Sequence, residues 1–116
     1  MPRKGPAGEA EAVHFLEEKG IKILEKNFRS RTGEVDIIAS SGETLIFIEV
    51  KNWSVYGIDA LENALDKKKR RKIIETSKYF LSLHREYRYM AIRFDVIFVS
   101  PAGITHFPSA FMEQAL

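Results

Sequence analysis

The segment TLIFIEVKN, residues 44–52, limits the fold of this 116-residue chain more than any other part of the sequence. In a β-strand, successive side chains leave opposite faces. Leu45 and Phe47 would lie on one face, and Ile46 and Ile48 on the other. A strand that is apolar on both faces is typical of the middle of a sheet that is covered on each side. The segment therefore predicts the central strand of an α/β fold.

The rest of the chain predicts helices and strands in the order α-β-β-β-α-β-β. Apolar residues recur at helical spacing in residues 8–19 and again in residues 64–83. Short apolar segments bounded by turn residues predict strands at 21–29, 33–39, 44–52, 90–100 and 104–107. Residues 53–63 lack a clear period and predict a loop. We expect one domain, residues 1–116, with a mixed sheet flanked by helices.

The composition excludes several classes of protein. No apolar run approaches the roughly 20 residues that cross a bilayer, and no apolar segment follows the basic N-terminus, so we expect no membrane association and a cytoplasmic protein. The chain has no cysteine, which excludes disulfides and thiolate zinc sites. It also has no P-loop or dinucleotide-binding motif and no Ser-His-Asp arrangement. The net charge of +2 does not by itself indicate a nucleic-acid partner.

Two charged residues interrupt the apolar strand. Glu49 and Lys51 are two positions apart, so they share the face of Leu45 and Phe47. A charge in a central strand costs several kcal/mol unless it is paired or bound to a metal. The pair is therefore either part of a functional site or a surface ion pair at a strand end that reaches solvent.

The preceding strand, GEVDIIA, adds two more carboxylates. Alternation predicts Glu34 and Asp36 on one face and Val35 and Ile37 on the other. Carboxylates on adjacent strands can share a hard divalent cation, and a neighbouring lysine can hold a water molecule. Metal-assisted hydrolysis of a phosphodiester needs these groups. A salt bridge to a nearby arginine is an equally good interpretation of Glu34.

At these residues the chain resembles the PD-(D/E)XK superfamily of nucleases, and within it the YraN-like bacterial family. The resemblance covers nearly the whole chain and rests on GEAEAVHFL, NFRSRTGEVDIIA, LIFIEVKNW, the lysine-rich helix with KYFL, and RFDVIFV. It implies a restriction-endonuclease-like α-β-β-β-α-β core, similar to that of archaeal Holliday-junction resolvases. It also implies a Mg²⁺-dependent endonuclease, with Mn²⁺ as a substitute, that acts on DNA, including branched or structured DNA. The alternative is a nucleic-acid-binding module that keeps this fold without catalysis.

The resemblance implies roles for individual residues. Asp36 and Glu49 would be metal ligands, with the Val50 carbonyl as a further ligand, and Lys51 would orient or activate the attacking water. Glu9 matches a helix acid that approaches the metal in the junction-resolvase branch, which would make it catalytic. A glutamate near a helix N-terminus is also favoured by the macrodipole without any catalytic role, and both interpretations remain open.

The chain departs from the family pattern directly after the EVK motif. Asn52 and Trp53 stand where a small hydroxyl residue and an arginine are usual. The phosphate contact implied for that arginine is therefore missing. Trp53 supplies either base stacking or a hydrophobic plug over the end of the sheet.

The six consecutive basic residues 67–72 predict an anionic partner, with a solvated helix face as the alternative. In the family pattern, Lys69 and Arg71 would contact a phosphate, and Arg29 and Arg31 would extend the groove. The expected partner is nucleic acid, with DNA favoured over RNA.

A homodimer is a further expectation, because cutting two strands requires two sites. The candidate contact residues are Ile58, Leu61, Phe107 and Phe111. Packing in the core or at a sheet edge is the alternative interpretation of each.

Overall fold

Five strands form one mixed sheet in the order β1-β2-β3-β4-β5. The computed structural model describes residues 4–52 and 65–112, with side chains from residue 8 onward. The strands are β1 (Lys22–Arg29), β2 (Glu34–Ser41), β3 (Thr44–Asn52), β4 (Ala91–Ser100) and β5 (Gly103–Phe111). All neighbouring pairs are antiparallel except β3 and β4, which are parallel. The predicted central position of β3 is confirmed.

In the part of the chain that the structure describes, two helices cover the sheet, α1 (Lys4–Glu18) and α2 (Lys67–Leu83), and a short 3-10 helix (Arg85–Tyr87) precedes β4. The predicted α-β-β-β-α-β-β order and α/β class are therefore confirmed, and the first six elements follow the order of a restriction-endonuclease-like core. Neither helix, within the ranges that the structure describes, is long and apolar enough to cross a bilayer.

Each face of β3 packs against a different helix. Leu45 and Phe47 belong to a hydrophobic cluster that includes Phe80 of α2. Ile46 belongs to a second cluster that includes Leu16 of α1. Full burial of a leucine, isoleucine or phenylalanine side chain contributes about 1.5–3 kcal/mol. The two apolar faces of β3 that the sequence predicted therefore hold the two helices to the sheet.

The predicted bounds of some elements differ from those observed. Helix α2 was expected from residue 64 but begins at Lys67, because the Asp66 side chain caps it by accepting a hydrogen bond from the Lys69 amide at 2.8 Å. Strand β5 extends well beyond the predicted residues 104–107. The predicted loop at 53–63, which contains Trp53, Ile58 and Leu61, lies outside the described residues.

The two dimer candidates that the structure does describe belong to the core. Phe111 is buried in the cluster on the α2 side, and Phe107 packs against the same cluster. Phe94 stacks on Phe111, with ring centroids 4.9 Å apart. Both residues therefore find packing partners within their own chain.

The predicted alternation in β2 is wrong at one position. Val35 packs on the α2 side, whereas Ile37 packs on the α1 side. Backbone pairing between β2 and β3 starts only at Ile37. Before it, the Asp36 carboxylate accepts the Val50 amide, and Asn27, which lies opposite in β1, has a φ of 55°. The ladder is thus irregular at Asp36, so a strict period of two does not apply there.

A buried ionic network joins β4 to β5. The fully buried carboxylate of Asp95 accepts two hydrogen bonds from the Arg93 guanidinium, both at 2.9 Å, and one from the Ser109 amide at 3.0 Å. His106 Nε2 lies 2.8 Å from the same group. Burial alone would raise the pKa of Asp95, but the hydrogen bonds from His106, Arg93 and Ser109 outweigh it and lower that pKa. Arg93 and Asp95 are two residues apart in β4, so their side chains leave the same face of the strand and can pair.

We predict that Asp95→Asn destabilises the protein at pH 7 by about 3 kcal/mol, because it breaks a buried charge pair while keeping the shape of the side chain. A lowered pKa contributes stability above the unfolded value of about 4, and that contribution is lost as the pH falls through the folded value. The difference in unfolding free energy between wild type and variant should therefore shrink below about pH 4. Urea denaturation at several pH values measures it.

The matched control is Glu17→Gln, which removes a carboxylate from an exposed position on α1. It should leave the stability nearly unchanged at every pH. An Asp95→Asn protein as stable as this control at pH 7 would contradict the structural role of the network.

Candidate functional site

One cleft brings together many of the residues that the sequence had indicated. Its volume is about 520 Å³, and it lies at the end of the sheet where β2 begins and β3 ends. The carboxylates of the cleft come from α1, β2 and β3, and its basic side chains come from β1 and α2. The lining residues are Glu9, Asn27, Arg29, Thr32, Gly33, Glu34, Asp36, Glu49, Lys69, Lys72 and Ile73.

The half-buried side chain of Asp36 links two strands at this end of the sheet. Its Oδ2 accepts a hydrogen bond from the Val50 backbone amide at 2.8 Å. The last backbone pair between β2 and β3 is Ile37 with Ile48, so the carboxylate continues the connection one step beyond the ladder. Asp36 therefore has a structural role as well as a position in the cleft.

Glu49 is a buried carboxylate between two ammonium groups. Only 7% of the residue is exposed, so the interpretation as a surface ion pair is wrong. Its Oε2 lies 3.3 Å from Lys51 Nζ and 3.8 Å from Lys69 Nζ. The two cations offset the cost of burying the carboxylate. They also join β3 to α2, because Lys51 lies on the strand and Lys69 on the helix.

Lys51 keeps its positive charge in this environment. Burial alone would lower the pKa of its ammonium, but the charge attraction and hydrogen bond with Glu49 and the charge of Asp36 raise that pKa above its ordinary value. Lys51 is therefore suited to donate hydrogen bonds and to stabilise negative charge.

Glu9 reaches the cleft from α1. Its Oε1 accepts a hydrogen bond from Asn27 Nδ2 at 2.9 Å. Asn27 has the left-handed backbone conformation noted above, which asparagine tolerates better than most residues other than glycine. Asn27 was not predicted from the sequence, although asparagine is uncommon within strands and its place in β1 could have indicated it.

The basic residues that were predicted to contact nucleic acid do not all lie in this cleft. Lys69 lines it together with Lys72, which was predicted only as one of the six basic residues 67–72. Lys69 and Lys72 are three residues apart and therefore share one face of the helix. Arg71 does not line the cleft. Arg31 lines a neighbouring cleft, and Arg29 lines both.

Glu34 is held by a salt bridge. Its Oε1 lies 3.6 Å from Arg29 Nη2. Of the two interpretations considered for Glu34, the geometry favours the ion pair.

The oxygen donors of the cleft suit a hard divalent cation. Mg²⁺ is usually bound by one or two carboxylates and several water molecules. Asp36 and Glu49 line the same cleft and supply such carboxylates. In residues 4–52 and 65–112, no group of three or more His, Cys, Asp or Glu side chains is arranged to hold a metal. With two carboxylates as ligands, a Mg²⁺ ion here would take most of its remaining ligands from water.

We predict that two substitutions of Asp36 differ in stability. Asparagine retains an oxygen that can accept the Val50 amide, so Asp36→Asn should remain close to wild type. Asp36→Ala leaves that partly buried amide without its acceptor and should lower the free energy of unfolding by about 1–3 kcal/mol. Urea denaturation of the two variants provides the measurement, and equal stabilities would contradict the hydrogen bond. Asp36→Asn is accordingly the proper variant for tests of activity.

Comparison with known proteins gives one consistent result. A family model described as "Uncharacterised protein family UPF0102" matches residues 8–99. A UPF0102 protein of Persephonella marina is 43% identical over 108 residues, which span 93% of this chain and 92% of the relative. One of Treponema denticola is 42% identical in an alignment 125 positions long, which covers 96% of each chain. These names state a family and no activity, and they confirm the YraN-like family predicted from the sequence.

Proposed function

The chain belongs to the uncharacterised protein family UPF0102, and we propose that it is a Mg²⁺-dependent endonuclease that hydrolyses phosphodiester bonds of DNA. The observation that supports this most directly is the composition of the cleft. Asp36 and Glu49 line it together with Glu9, and Lys69 and Lys72 line it from α2. Metal-binding carboxylates beside phosphate-binding cations are what the hydrolysis of a phosphodiester needs.

Each side chain would have a distinct task. Asp36 and Glu49 would hold Mg²⁺, which when bound polarises a phosphoryl oxygen and lowers the pKa of water. The Lys51 ammonium donates hydrogen bonds to the attacking water or to the phosphate oxygens, where it stabilises the charge that develops. Glu9, held by Asn27, presents a carboxylate that can accept a proton from water. Branched or structured DNA is the favoured substrate class.

The charge on α2 supports a nucleic-acid ligand. Its first six residues, 67–72, are all basic, and its first turn contains no acidic residue. The N-terminal end of a helix dipole is positive, so cations there destabilise the isolated helix. Phosphate groups offset both the dipole and the mutual repulsion of the cations. Lys69 and Lys72 direct this positive charge into the cleft.

A second candidate function is binding of nucleic acid without catalysis. One observation favours it: Glu49 is already paired with Lys51 and Lys69, and one oxygen of Asp36 already accepts a backbone amide. A cleft whose acidic side chains already have partners within the protein can bind phosphate through its basic side chains without a metal. The two candidates share the DNA-binding surface and differ in cleavage.

Cleavage assays with Mg²⁺ or Mn²⁺ on junction, flap, single-stranded and duplex DNA distinguish the two candidates. We expect cleavage by the wild type, and a loss of about a hundredfold or more for Asp36→Asn, Glu49→Gln and Lys51→Met, because each removes charge from the reacting centre. Glu17→Gln, at an exposed position, should cut like the wild type. Absence of cleavage on every substrate would overturn the nuclease proposal and leave the binding module.

The dependence of binding on salt tests which face of α2 contacts the backbone of DNA. Lys72→Ala should weaken binding of duplex DNA and reduce the slope of log K against log salt by about one, because one phosphate contact is lost. Arg71→Ala removes the same charge from the same helix but from outside the cleft, so its slope should stay near that of wild type. Fluorescence anisotropy at several salt concentrations measures both, and equal slopes for the two variants would contradict the assignment.

A further inference from the structure

A second cleft, of about 480 Å³, adjoins the candidate active site. It is lined by Arg29, Ser30, Arg31, Thr32, Glu75 and Tyr79, and Arg29 and Thr32 line the first cleft as well. The two clefts therefore adjoin at Arg29 and Thr32. Building on the proposed function, we propose that the second cleft binds one unpaired nucleotide of the substrate strand. Its base stacks on Tyr79, and its phosphate contacts Arg29 and Arg31.

Tyr79 provides an aromatic surface that is both supported and open. The residue is 47% exposed, although it is large and lies on a helix packed against the sheet. The buried ring of Phe28 lies beneath it, with centroids 5.9 Å apart and planes inclined by 33°. Phe28 in turn contacts Phe80 edge to face at 5.2 Å. An aromatic ring supported from below and open above suits base stacking, which tolerates any base.

The opposite wall of the cleft is fixed to the same helix. In the turn between β1 and β2, the Ser30 hydroxyl is 2.8 Å from Thr76 Oγ1 and accepts the amides of Thr32 and Gly33 at 3.2 and 3.3 Å. A Cβ on Gly33 would lie 3.2 Å from the Cβ of Lys72, so glycine permits this close approach. The arginines of the turn and the tyrosine of α2 are therefore held at a set distance before any ligand binds.

The charges within the cleft give the nucleotide one orientation. Arg29 and Arg31 are exposed on the turn side, where they can contact a phosphate. Glu75 lies one helical turn before Tyr79, where it repels phosphate and can accept a hydrogen bond from an amino group of a base. The phosphate is thereby directed to the arginines and the base to the tyrosine.

The substrate class follows from the geometry of stacking. In a continuous duplex both faces of each base are covered by its neighbours, so no face is free for Tyr79. The cleft therefore selects a single-stranded end, a flap or a bulge. A strand whose unpaired nucleotide occupies this cleft would continue past Arg29 into the site of Asp36 and Glu49.

The test is a binding measurement that does not depend on cleavage. Fluorescein-labelled single-stranded DNA and a duplex of the same length are titrated with the full chain in Ca²⁺, and the anisotropy is recorded. Tyr79→Leu keeps an apolar contact with Phe28 but removes the ring, and we expect about tenfold weaker binding of the single strand with less than a twofold change for the duplex. Tyr79→Phe should bind both like the wild type. Tyr89→Ala removes a tyrosine that is 88% exposed and outside the cleft, and it should also have no effect.

Three results would overturn the inference: wild type that fails to bind the single strand at low salt, Tyr79→Leu that binds it like wild type, or an equal loss on both DNAs. Thermal melts of each variant show whether the fold is retained. If the wild type cuts no DNA and the Tyr79-dependent preference for single strands is nevertheless observed, the nuclease proposal fails and this inference stands.

Discussion

The buried carboxylate of Glu49 is the feature on which the rest of the site depends. It lies on the most buried strand of the sheet, where an uncompensated charge would cost several kcal/mol. The compensation comes from Lys51 on the same strand and from Lys69 on α2. This arrangement fixes the start of the basic helix against the end of β3. The position of the positive charge in the cleft is therefore a consequence of burying a single acid.

Asp36 defines the other wall of the cleft. Because its carboxylate replaces a backbone partner for the Val50 amide, the β2–β3 ladder ends at Ile37. The strands no longer pair beyond this point, and their ends enclose space that side chains from α1 and α2 can reach. Asn27, whose backbone has a positive φ, lies opposite Asp36 in β1. Its side chain donates a hydrogen bond to Glu9 of α1. An interruption of regular β-structure thus creates the room that a functional site requires.

Much of the fold could be predicted from the sequence because helices and strands follow from the spacing of apolar residues within short segments. The two apolar faces of β3 predicted a central strand, and the spacing of apolar residues along the chain predicted the order of helices and strands. What could not be predicted depends on partners distant in sequence. The break in alternation at Val35 accompanies the hydrogen bond from the Val50 amide of β3 to Asp36. The position of Lys72 in the cleft follows from which face of α2 packs against the sheet.

We propose that Asp36 and Glu49 together hold a divalent cation in this cleft. The most direct measurement is titration of the protein with Mn²⁺, monitored by the loss of the free-ion signal in electron paramagnetic resonance. We expect binding in the wild type, a large loss of affinity in Asp36→Asn and in Glu49→Gln, and no change in Glu17→Gln. Wild-type protein that binds no Mn²⁺, or binding that is unaffected in both site variants, would contradict it.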